Sequence, residues 1–60
     1  MSMYKELSME LELIATSTEE LNRFKEMTTQ HFEGDMSVWS EMPDVLKQII
    51  ISWEDEHRAN

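Results

Sequence analysis

Leu46, Ile49, Ile50 and Trp53 stand at helical spacing in the densest apolar block of the sequence, residues 42–53. Met42 and Val45 lie on the shoulder of that face, while Asp44, Lys47, Gln48 and Glu54 point away. The pattern predicts an amphipathic helix over 43–57 that must cover its apolar side to fold. A chain of 60 residues has little with which to cover it. Apolar burial and the entropic cost of ordering so short a chain are each on the order of 90 kcal/mol, and they cancel. With no cysteine there is no disulfide framework, and most structural zinc sites are ruled out. The expectation is therefore a homodimer in which two copies bury the Leu46, Ile49, Ile50 and Trp53 face together, with Leu21 and Phe24 completing the core.

Residues 3–15 carry two periods at once. Tyr4, Leu7, Leu11 and Ile14 follow the seam of a helix, whereas Leu7, Met9, Leu11 and Leu13 alternate with Ser8, Glu10 and Glu12 as a half-buried strand would. Residue type favours helix, because Leu, Met, Glu and Lys dominate and a lone strand has no partner in the chain. Next comes Thr16-Ser17-Thr18-Glu19-Glu20, in which Ser17 followed three residues later by Glu20 forms a capping box. A second helix over 18–32 follows, with Leu21, Phe24, Met27, Thr28, His31 and Phe32 as its stripe. Gly34 stands where a left-handed terminus is wanted.

Residues 34–42 read as a structured connector, since Val38 and Trp39 are too apolar for a free linker; Trp39 should pack back over a helix end. Ser40 is placed as the cap of the third helix, with Pro43 in its first turn. The fold class is thus all-α: one small three-helix domain over 1–60, built on a hairpin of the second and third helices.

No stretch carries catalytic chemistry. The single glycine excludes a phosphate-cradling loop, and His31 has no nucleophile in a recognisable context. Glu54 and His57 have the E-x-x-H spacing of di-iron bundles, but they fall among consecutive acids near a helix end, so no metal or other cofactor is expected. Thirteen acidic residues against five basic ones give a net charge of −8. Such a field repels nucleic acid and anionic membrane and attracts basic proteins. Glu54, Asp55 and Glu56 are the candidate partner contacts. With no apolar run long enough to span a bilayer and no signal segment, the expected location is the cytoplasm.

Two resemblances can be stated. The order of alternating stretch (7–13), capped helix (17–32), Gly34 turn, then Ser40-Glu41-Met42 and a last helix resembles the ribbon-helix-helix repressors. That likeness implies an intertwined dimer whose strands enter the DNA major groove. The outward positions here are Ser8, Glu10 and Glu12 instead of basic or amide residues, and Pro43 interrupts the start of the last helix. The short, acidic, cysteine-free chain with six methionines also resembles, in style, small early proteins of lambdoid bacteriophages. This implies a non-enzymatic regulatory role through a protein partner, in the host cytoplasm. A third function class is the acidic DNA mimic, which requires carboxylates regularly spaced along one face; in this sequence they scatter.

Overall fold

A computed structural model describes residues 2–58, with side chains from Lys5 onward. The side chains of Tyr4 and Met3, and the whole of Met1, lie outside the described residues. The chain forms α1 (Ser2–Ile14), α2 (Thr18–Phe32), a 3-10 helix η1 (Met36–Glu41) and α3 (Asp44–Arg58), with no strand among the described residues. The all-α, three-helix domain is therefore the fold, and the ribbon-helix-helix alternative falls because residues 7–13 are helical.

The two periods of α1 are resolved by burial. Leu7 and Leu11 are almost fully covered, while Met9 is 57% and Leu13 85% exposed. On a 3.6-residue helix, Met9 and Leu13 project from the side opposite to Leu7 and Leu11. The alternation belonged to apolar residues left outside.

The chain breaks and re-enters helix where its side chains dictate. Ser17 is extended (φ −155°, ψ 165°), and its Oγ accepts from the Glu20 N–H at 3.1 Å. The reciprocal half of the box is displaced by one residue: Glu20 Oε1 accepts from the Thr16 N–H at 2.8 Å and from the Thr16 hydroxyl at 2.9 Å. The Thr16 backbone bond, then its hydroxyl, hold the Glu20 carboxyl below the usual glutamate range. In the same sense, the Ser37 hydroxyl and then its N–H lower Asp35, which caps η1. A carboxyl with a lowered folded-state pKa contributes stability above its unfolded value, and that contribution is lost as pH falls through the folded one. Melting temperature should therefore drop on acidification below about pH 4. Glu20→Gln should make that drop shallower in melts followed by circular dichroism; an unchanged slope would show that the Thr16 bonds do not hold the helix start.

At the other end of α2, Gly34 adopts φ 102°. Its N–H reaches the His31 carbonyl at 3.1 Å, and the Asp35 N–H reaches that of Gln30 at 2.9 Å. These two bonds make a Schellman turn, and the left-handed residue it needs is glycine. The connector then winds into η1. Ser40 does not cap α3; its hydroxyl donates to the Ser37 carbonyl within η1. The cap position is taken by Pro43, whose carbonyl accepts from Leu46 and Lys47 N–H groups. Met42 before it is extended (ψ 141°), as the clash with a proline ring requires.

Leu11, Phe24, Val38, Met42, Leu46 and Ile50 form the core, with Ile14, Leu21, Met27, Phe32, Trp39 and Ile49 packed around it. Leu46 and Ile50 are completely covered and Trp53 nearly so. The face expected to be shared between two copies is thus filled from within one chain. Its cover comes from α1 through Leu11 and from the connector through Val38 and Met42. The joint of α2 and α3 also differs from a plain hairpin. The last turn of α2 meets α3 near its end, with Phe32 edge-on to Trp53 at 5.4 Å and His31 beside Glu54.

Candidate interaction groove

Three elements converge on one open, apolar-walled depression. The last turn of α2 brings His31, η1 brings Met36 and Trp39, and α3 brings Ile51 and Glu54 around a space of about 330 Å³. The Schellman turn sets this arrangement, because it reverses the chain directly after His31 and lets η1 lie back against α2. Trp39 consequently packs over the helix end, its ring centroid 5.0 Å from that of His31. Phe32 meets the imidazole edge-on at 5.1 Å.

In contact with both aromatic rings, His31 donates through Nε2 to Glu54 Oε2 at 3.2 Å. This bond ties α2 to α3 at the groove. Met36 is 82% and Ile51 47% exposed, so the walls present large apolar side chains to water. Helical spacing sets charges around Ile51: Lys47 lies one turn before it, Glu54 and Asp55 one turn after. The Lys47 ammonium sits over the Trp39 ring, 5.8 Å from its centroid. Asp55 pairs with Arg58 at 3.7 Å with both side chains exposed, a contact worth little in water.

Of the three acids expected to contact a partner, only Glu54 lines the groove; Asp55 and Glu56 are exposed and do not line it. The assembly candidates Leu21, Phe24, Leu46, Ile49, Ile50 and Trp53 are all core or packed against it. No local sequence signal separates Met36 from the other methionines, or Ile51 from Ile49 and Ile50. Three consecutive isoleucines can all fit an apolar face until the rotation of α3 about its axis is known. The E-x-x-H pair does not converge: His57 stacks on Trp53 at 4.2 Å with Nδ1 against the Trp53 carbonyl, while Glu54 turns to His31. No group of three His, Cys, Asp or Glu side chains that could hold a metal occurs among the described residues.

A second depression lies between α1 and α2, lined by Leu7, Ser8, Leu11, Lys25, Thr28 and Thr29. The buried Thr28 hydroxyl there is satisfied by the Phe24 carbonyl at 2.8 Å, so this site has no polar group awaiting a ligand from Thr28. No helix among the described residues is long and apolar enough to cross a membrane. No protein-family model, curated protein or solved structure matches the chain.

Proposed function

We propose that this chain is a non-enzymatic regulatory protein that works in the cytoplasm by binding a basic protein partner through the His31, Met36, Trp39, Ile51 and Glu54 groove. One observation carries the reading. Two large apolar side chains, Met36 and Ile51, stand exposed in one depression with the half-buried Trp39 and the Glu54 carboxylate, in a chain of net charge −8. Tryptophan and methionine are favoured at contact surfaces, the first as anchor and the second because its flexible thioether repacks against different shapes. The style of the small early phage proteins is compatible with such a role. Self-association through Leu46, Ile50 and Trp53 forms no part of it, because those side chains are already covered. Nor does DNA mimicry, since the carboxylates scatter along α1, α2, the connector and α3 without regular spacing.

The test is comparative capture. Immobilised protein and its Met36→Ser/Ile51→Ser variant should be exposed to native lysate at physiological salt. At least one protein retained by the first and lost with the second is expected. Identical retention patterns would remove the groove from the proposed function.

A further inference from the structure

Resting on the reading above, we infer that the groove receives one face of a basic amphipathic helix, with an apolar anchor between Met36, Trp39 and Ile51 and a Lys or Arg on Glu54. The volume of about 330 Å³ lies at the small end of the roughly 300–1,000 Å³ typical of ligand sites. Being open, it suits a side chain delivered by a partner surface better than an enclosed metabolite.

The charge at its edge selects the neighbour of that side chain. Glu54 uses Oε2 for His31, and Oε1 has no hydrogen-bond partner among the described residues. A half-used carboxylate beside an apolar wall favours a cation, which gains a charge-assisted hydrogen bond. Glu54 lies one helical turn from Ile51, and side chains one turn apart are about 5–6 Å apart. An occupant with the same one-turn spacing between anchor and cation is a helix with Leu-like and Lys-like residues at i and i+3 or i+4. Lys47 over Trp39 marks the opposite edge as positive, so the cation of the occupant is directed to the Glu54 end.

The remaining candidates for the groove carry the wrong charge. A second copy brings another net charge of −8, and nucleic acid and anionic bilayers are repelled for the same reason. A basic helix alone satisfies both the apolar wall and the acidic edge.

The probe is a synthetic Leu/Lys helix of about five turns with leucines on one face. It is compared with an isomer of identical composition whose leucines are scattered, and with a Leu/Glu counterpart. Binding is followed on the full chain by nuclear magnetic resonance at the Trp39 indole and the Ile51 methyls. The amphipathic Leu/Lys peptide should move both signals and bind at least tenfold more tightly than its isomer. Glu54→Gln and Ile51→Ser, both of which should keep native circular dichroism, should each weaken it about tenfold. Equal binding of the scattered isomer, or indifference to both substitutions, would overturn the proposal in favour of diffuse charge attraction. Preferential binding of the Leu/Glu peptide at the same signals would overturn the basic helix while leaving the groove as a contact site. Shifts at Trp39 that grow with the concentration of the protein alone would assign the groove to a second copy, and failure of every peptide to move Trp39 would remove both readings.

Discussion

Ile50→Asp should leave the chain unfolded at any concentration, whereas Ile51→Asp, one residue further on, should leave its circular dichroism unchanged. Ile50 is fully covered at the centre of the core, and Ile51 is 47% exposed beside the groove. Removing a buried isoleucine costs about 2–5 kcal/mol, and an unpaired carboxylate in the same place adds several more. A chain of this length has a net stability of about 3–9 kcal/mol at the usual 0.05–0.15 kcal/mol per residue. The substitution therefore costs about as much as the whole stability of the fold. Had Ile50 been buried between two copies, the same change would release a folded monomer. A folded Ile50→Asp protein, at any oligomeric state, would show that the core is not closed within one chain. Ile50→Val gives the graded version, with an expected loss of about 0.5–1.5 kcal/mol in denaturant titration.

The second large effect lies in α1. Leu11→Ala should destabilise by about 2–5 kcal/mol, because Leu11 packs against the core cluster and its loss leaves a cavity. Leu13→Ala should stay within about 0.5 kcal/mol, since Leu13 is 85% exposed and alanine is an equally good helix former. The contrast reads the backbone as well as the packing. Were residues 7–13 a strand with one covered face, Leu11 and Leu13 would share that face and cost alike. Equal losses measured by urea unfolding would thus reopen the extended conformation.

Several elements were legible because their signals are local. Ser17 and Glu20 fix the start of α2 by direct hydrogen bonding, and Gly34 fixes its end by a backbone angle that other residues adopt at a cost. Helix boundaries near 18 and 32 follow from these residues alone. What escaped depends on distance in the chain. The apolar face of α3 was evident, yet its cover was not, because Val38 and Met42 reach it only through the 3-10 winding of the connector. Without that winding, a second copy was the available source of burial. Pro43 precedes α3 and does not lie in its first turn; its carbonyl, not the Ser40 hydroxyl, begins the helix. The groove escaped for the same reason. His31 and Glu54 are 23 residues apart, and nothing in either local pattern announces that they meet.

The connector η1 places Val38, 4% exposed, among the buried residues of three other elements. It is a stopper seated in the domain and not a tether slung outside it. Lengthening this segment, threading a tag through it or joining its ends by a flexible spacer would pull the stopper out. The longest interval between α-helices is consequently the least forgiving place at which to splice this chain.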